Sequence, residues 1–265
     1  AGQFTDVDLS DTHTVSAVLA SAFQGGSGTL PEELLAALQS AVSVSLPDAA
    51  TGDAHGQYLW NFGLADAAVQ FLAAGQTLTL AYDITITDNH GASDTQRVSV
   101  TIAGANDSAI ITGSSSAIFT ETDAVQTAGG KLDVTDVDGA AAFVVQSATA
   151  GQYGSFSIDA TGAWTYTMNS AHDEFAVGRD YSDSFDAMSA DGTLRPITVI
   201  IGGSNDVPVA SADAVISYAN SSIVITAARL LANDVDPDTG DTKALVDIGS
   251  AAHGVAVIVN GDVVY

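Results

Sequence analysis

Two short acidic patterns recur along this chain. Asp6-Val7-Asp8, Asp136-Val137-Asp138 and Asp234-Val235-Asp236 each set two carboxylates one residue apart, and Asp238 extends the last of them. Asn106-Asp107 and Asn205-Asp206 form the second pattern, 99 positions apart. In extended chain an Asp-x-Asp points both carboxylates to the same side. Short-armed oxygen donors grouped in this way suit a hard cation, and calcium takes six to eight such oxygens in flexible geometry. For any one Asp in a loop, a solvated turn residue is the better reading. The recurrence at equivalent positions favours the cation. So does the choice of acid: of 32 acidic residues only Glu32, Glu33, Glu121 and Glu174 are Glu.

The spacing predicts one group around Asn106, Asp107, Asp136 and Asp138, and a second around Asn205, Asp206, Asp234, Asp236 and Asp238. In each, the Asn-Asp that closes one domain meets the Asp-x-Asp of the next. Asp6 and Asp8, with Asp11, would serve a joint with a preceding domain. Asp83 with Asp88, and Asp186 with Asp191, are further candidates at corresponding positions, both pairs being 103 residues apart.

The elements that must carry these loops read as strands. Thr77–Asp88 alternates Leu78, Leu80, Tyr82, Ile84 and Ile86 with mostly Thr, and Arg97–Ile102 returns from a turn at Asp88-Asn89-His90-Gly91. Residues 56–62 alternate large aromatics, and Phe156–Ile158 with Trp164–Met168 form a second strand pair about Asp159-Ala160-Thr161-Gly162. Thr12–Val18 alternates as a strand, Val42–Leu46 is a short strand closed by Pro47 and Asp48, and residues 64–74 suggest a helical turn ending at Gly75. Val215, Ile216 and Ile223–Ile225 are read as strands, and residues 253–265 as a hairpin about a type I′ Asn260-Gly261 turn. A single helix is predicted at about 30–41. It follows the break at Gly25-Gly26-Ser27-Gly28, with Thr29 as N-cap and Pro31, Glu32 and Glu33 in its first turn. It has no counterpart in the second repeat and reads as an insertion.

Composition bounds the function. A net charge of −26 leaves no basic stripe for nucleic acid and none for anionic membrane. There is no apolar run of membrane-spanning length. Without cysteine there are no disulfides and no thiolate zinc site. His13, His55, His90, His172 and His253 are scattered, and neither His-x-x-x-His nor a Gly-x-Ser-x-Gly elbow occurs. His172-Asp173-Glu174 holds acid–base groups but reads as a surface turn. Tyr58, Trp60, Trp164 and Tyr166 read as core rather than a sugar platform, so no enzyme is expected.

Several motifs resemble a known family. Phe4-Thr5-Asp6-Val7-Asp8, Phe71-Leu72-Ala73-Ala74-Gly75-Gln76-Thr77-Leu78, Thr85-Ile86-Thr87-Asp88-Asn89-His90-Gly91 and Gly104-Ala105-Asn106-Asp107 resemble the VCBS repeat. That repeat occurs in very large secreted bacterial proteins, including RTX-type adhesins exported by type I secretion. Leu230-Leu231-Ala232-Asn233-Asp234-Val235-Asp236-Pro237-Asp238 and Ala252-His253-Gly254 resemble the bacterial cadherin-like repeat. The resemblance implies β-sandwiches in series with calcium at their junctions, and gives Glu121, near the start of a repeat, the place of the opening-strand Glu ligand.

The sequence therefore reads as all-β: tandem Ig/cadherin-like β-sandwich domains with one short inserted helix. The expected domains are 1–107, with its first strand missing, 108–207, and a truncated 208–265. Both ends are expected to lie inside domains, since the chain opens on Ala1 rather than Met and the outer repeats lack segments that the middle one has. The expected role is a calcium-stiffened stalk or fibre segment of a secreted bacterial surface adhesin, its partners being neighbouring domains of the same polypeptide. Two alternatives are a filament or surface-layer subunit that exchanges strands with copies of itself, and a module that binds a surface glycan or protein through the insertion or a sandwich edge.

Overall fold

The computed structural model describes residues 1–25 and 30–265. Thr29 and Gly26-Ser27-Gly28 lie outside the described residues. The chain divides into two units, one of residues 1–110 with 135–141, the other of residues 111–134 with 142–265. Nearly all regular structure is strand.

The first unit holds β1 (Gly2–Thr5), β2 (His13–Gln24), α1 (Glu32–Ser40), β3 (Val42–Ala49), β4 (His55–Phe62), β5 (Thr77–Asp88) and β6 (Ser93–Ala103). They form two three-stranded sheets, β1-β4-β3 and β2-β5-β6. The alternation in β5 works as the sequence requires: Leu78, Leu80, Tyr82, Ile84 and Ile86 are buried. β5 and β6 pair as an antiparallel hairpin from Thr77 opposite Ala103 to Thr87 opposite Ser93. Gly91, at φ +91°, takes the left-handed position of the turn. β2 runs on to Gln24, beyond the expected strand, by means of a register shift between Leu19 and Ser21. β3 likewise continues past Pro47, because a shift between Ser45 and Asp48 takes the proline out of the ladder. The expected helical turn near residues 64–74 is only a 3-10 turn, Asp66–Ala68.

The inserted helix stands where the sequence places it. Its N-cap is Pro31, with no side-chain cap hydrogen bond. Leu34 and Leu38 are buried against β5 residues, and the Tyr82 hydroxyl donates to the Leu38 carbonyl at 2.7 Å. Burying one such leucine is worth about 1.5–3 kcal/mol.

The second unit carries β7 (Ile110–Gly113), β8 (Ser116–Thr120), β9 (Thr127–Thr135), β10 (Gln146–Ala150), β11 (Gly154–Ile158), β12 (Ala163–Met168), β13 (Asp180–Met188) and β14 (Leu194–Gly202). One sheet has the order β10-β11-β12-β9-β7 and the other β13-β14-β8. Inward Phe156, Trp164, Tyr166, Phe185, Ile197 and Val199 belong to one core between them. Tyr58, Trp164 and Tyr166 are buried as expected, and Trp60 is partly buried. β8 runs parallel to β14 at its outer edge. Buried Asp183 accepts hydrogen bonds from the main-chain N–H groups of Gln152 and Tyr153 and from the Tyr166 hydroxyl, at 2.7–2.9 Å.

Beyond β14 come β15 (Val224–Ile225), a short helix α2 (Ala227–Leu230), β16 (Val257–Val259) and β17 (Asp262–Val264), with sheet order β15-β17-β16. Asn260 and Gly261 both have positive φ, as a type I′ turn demands. Val215 and Ile216, expected as strand, belong to no sheet among the described residues.

Candidate metal centre

The two Asn-Asp patterns build the same hydrogen-bonded frame twice. In the first unit the Asp107 N–H donates to Asp138 Oδ2 at 3.0 Å, and the Asp138 N–H donates to Asp136 Oδ1 at 3.1 Å. In the second unit the Asp206 N–H donates to Asp238 Oδ2 at 2.7 Å, and the Asp238 N–H to Asp236 Oδ1 at 3.1 Å. Asn106 and Asn205 each turn their amide onto the next residue's carbonyl, at 3.0 and 2.9 Å. These bonds use Asp138 Oδ2, Asp136 Oδ1, Asp238 Oδ2 and Asp236 Oδ1. Asp136 Oδ2, Asp138 Oδ1, Asp206 Oδ2 and Asp238 Oδ1 are buried atoms with no hydrogen-bond partner. Gly139 follows the first loop because a Cβ there would lie 2.5 Å from Asp136 Oδ2.

The second frame has two further carboxylates. Glu121 follows β8 and is only 1% exposed. Its Oε1 accepts from the Ser204 N–H at 2.7 Å and from the Ser204 hydroxyl at 2.9 Å, while its Oε2 has no partner. Glu121, Asp173 and Asp206 bring carboxylate oxygens within 4.8 Å of one another, and Asp173 Oδ1 is also buried without a partner. A buried carboxylate left unpaired is costly. Burial, and then the charges of Glu121, Asp173, Asp123 and Asp238, push the Asp206 carboxyl up to about 6. A set of convergent, unpaired anionic oxygens with no cationic side chain bonded to them is a donor set for a hard divalent cation. A third group, Asp236, Asp238 and Asp241, shares Asp236 and Asp238 with the frame.

Asp173 is the residue that sequence reasoning missed. His172-Asp173-Glu174 reads as a surface turn, yet His172 is buried and stacks on Phe175 at 4.4 Å. Its two ring nitrogens face Glu174 Oε1 at 2.7 Å and the Tyr153 carbonyl at 2.9 Å. The Thr239 N–H donates to the Glu174 carbonyl at 3.1 Å. The turn is thus built into the unit. The available signal was the repeat itself: Phe175 corresponds to Phe71, so Asp173 and Glu174 replace Val69 and Gln70.

The remaining candidates are placed as follows. Asp6, Asp11 and Asp88 bring oxygens within 4.8 Å of one another. Asp6 is already engaged by the Asp8 N–H and by His13, Asp11 by His90, and Asp88 by the N–H groups of His90 and Ala92. Asp8 is exposed. Asp83 forms a two-pronged ion pair with Arg97, at 2.8 and 2.9 Å. Asp186 is exposed on β13, and Asp191 accepts from Ser189 and Thr193 in its own turn. Asp234 accepts the Ser211 N–H at 2.8 Å, and Asp241 rather than Asp234 joins Asp236 and Asp238. Over 30–46 the exposed positions include Glu32, Glu33, Gln39, Ser40, Ser43 and Ser45, and the stretch has no aromatic residue, so the insertion offers no aromatic platform.

Residues 106–203 match the family model of the bacterial cadherin-like domain. That span contains Glu121, Asp136, Asp138 and Asp173. No curated protein matches the chain. Among solved structures, the chain is similar to mouse cadherin-23 EC22-24, with 14% identity and TM-score 0.35 over 78% of this chain and 60% of that one. Human CDH23 EC21-23 gives 11% identity and TM-score 0.36 over 97% and 82%. PcdhgB3 EC1-4 gives 10% and 0.33 over 85% and 49%, so the chain spans about half the length of that structure.

Proposed function

We propose that this chain is a calcium-binding segment of an extracellular adhesion-type protein, a stalk of cadherin-like sandwiches on a bacterial surface. The observation that carries the reading is the buried, unpartnered Oε2 of Glu121, in a carboxylate that converges to within 4.8 Å on those of Asp173 and Asp206. The family match over residues 106–203 supports the cadherin-like part of it. The resemblance of the acidic loops to VCBS repeats supports a secreted bacterial source. The sequence division into 1–107, 108–207 and 208–265 is part of the proposal.

Glu121, Asp173, Asp206 and Asp238 would hold the ion. Asp238 comes from the third repeat, Glu121 and Asp173 from the second, and Asp206 from the connection between them. The cation would supply charge neutralisation: it cancels the mutual repulsion of these carboxylates and fixes the connection. The frame at Asp107, Asp136 and Asp138 would be a weaker site of the same kind, because Val69 stands where the second repeat has Asp173.

The test is calcium titration of the full chain, read by calorimetry and by thermal unfolding with calcium and then with excess chelator. A ligand at a hundred times its Kd adds about 2.7 kcal/mol to stability. A marked rise in Tm with calcium, and binding heat lost in Glu121→Gln, are expected. Superimposable unfolding curves would reduce the acidic loops to solvated turns.

A further inference from the structure

Asp173 brings a carboxylate to the group around Glu121, yet its buried Oδ1 has no hydrogen-bond partner to hold it. Its place is therefore set by the backbone on either side. On one side the Glu174 carbonyl accepts the Thr239 N–H at 3.1 Å. On the other stands His172, buried and at φ +66°. A positive φ on a side chain of this size is uncommon and persists only where the surroundings over-determine it. Here they do. The ring stacks on Phe175 at 4.4 Å and meets the Tyr153 ring edge-on at 5.6 Å. A carbonyl oxygen can only accept, so Nε2 carries the proton that bonds the Tyr153 carbonyl at 2.9 Å. Nδ1 lies 2.7 Å from Glu174 Oε1, which closes a clasp around the residue between them. The Phe175 N–H completes the turn on the His172 carbonyl at 2.9 Å.

The loop that receives the ring is itself anchored in the core. The Gln152 and Tyr153 N–H groups donate to the buried Asp183 carboxylate at 2.8 and 2.9 Å. Gly151 permits that approach, since a Cβ there would lie 2.5 Å from Asp183 Oδ2. The Asn169 N–H donates to the same Tyr153 carbonyl at 3.0 Å, so residues 169 and 172 are fastened to one atom. The corresponding stretch of the first repeat, residues 67–74, has neither histidine nor acid, so clamp and ligand are absent together. Given the calcium site proposed above, we infer that His172 is its positioning residue. It gives the ion no ligand atom. Its ring, seated on the Tyr153 loop, holds the left-handed turn that presents the Asp173 carboxylate beside Glu121 and Asp206. Outer groups that orient a metal ligand typically cost about 10–100-fold in affinity when removed.

The test is calorimetric titration of the full chain with calcium, well below its melting temperature. The variants are His172→Asn, Asp173→Asn and the two combined. Asparagine tolerates the left-handed backbone and so keeps the turn, but its short amide does not reach the Tyr153 carbonyl. His172→Asn should weaken calcium binding by about tenfold. In the Asp173→Asn background the same change should have no further effect, because a positioning residue acts only through the group it positions. His172→Gln, whose longer amide reaches the Tyr153 carbonyl, should recover most of the affinity. A His172→Asn chain with a lower Tm in chelator but unchanged calcium affinity would give the histidine a structural role only and overturn the proposal. So would a loss that persists in full in the Asp173→Asn background, or a His172→Gln chain that binds no better than His172→Asn. A parent chain that binds no calcium overturns the calcium reading itself, whereas a parent that binds and a His172→Asn chain that binds equally overturn the positioning role alone.

Discussion

The Asp206 N–H donates a 2.7 Å hydrogen bond to Oδ2 of Asp238, across 32 residues of sequence. It repeats the bond between Asp107 and Asp138, 31 residues apart. What differs is the company: the second unit brings Asp173 together with Glu121 and Asp206, whereas the first repeat has Val69 at the position of Asp173. Calcium affinity follows the number of charged oxygens. Asp238→Asn should therefore remove more calcium-dependent stabilisation than Asp138→Asn. Calorimetric titration of the two variants compares them directly, and equal losses would refute the ranking.

Glu121→Gln should change sign with conditions. In chelator, the new amide gives Asp173 and Asp206 a donor where two anions met, and Tm should rise. In calcium, one anionic ligand is gone, and binding should weaken by about tenfold, near 1.4 kcal/mol. Melting curves in the two buffers should cross over relative to the parent. A fall in both would mean that Glu121 is only a structural anchor for Ser204.

Asp206 gives the pH dependence its sign. Its carboxyl is raised from 3.8 to about 6, first by burial and then by its anionic neighbours. A group that is harder to ionise when folded favours the fold most fully below the unfolded value, and that contribution is lost as pH rises through about 6. Without calcium, the chain should gain stability through this group as pH falls from 7 to 5, and Asp206→Asn should flatten that trend. With calcium, protons compete for the ligand, so the calcium-induced rise in Tm should shrink over the same interval. The pair of pH series, with and without calcium, checks both signs.

Asp183 is a buried acid with a different task. It satisfies two main-chain N–H groups and the Tyr166 hydroxyl, whose own ionisation is pushed up by burial and by this contact. Asp183→Ala leaves three donors without an acceptor and should cost about 3–5 kcal/mol in urea unfolding. Asp183→Asn keeps a carbonyl acceptor and should cost less.

Tyr82→Phe removes the hydrogen bond that ties α1 to β5. A loss of about 1 kcal/mol is expected. Proteolysis across the 30–41 insertion should speed up before any change in the calcium response, since no residue of the acidic groups lies on that helix.

The sequence alone determined the periodic parts of this protein. Leu78 to Ile86 specify a strand with one buried face, because side chains alternate along extended chain whatever surrounds it. Asn260-Gly261 specify a tight turn because both positions tolerate positive φ. The recurrence of Asn-Asp and Asp-x-Asp specified which loops are alike, and the two hydrogen-bonded frames are indeed copies. Tertiary structure decided which carboxylates converge. Asp83 and Asp88 lie on one strand, yet one faces Arg97 and the other joins Asp6 and Asp11, since only cross-strand neighbours set the company each keeps. It also brought Asp173 to Glu121, 52 positions away in sequence, through the stacking of His172 on Phe175. A local pattern cannot report such a contact, because ligand geometry depends on distances in space that loop closure sets independently of spacing along the chain.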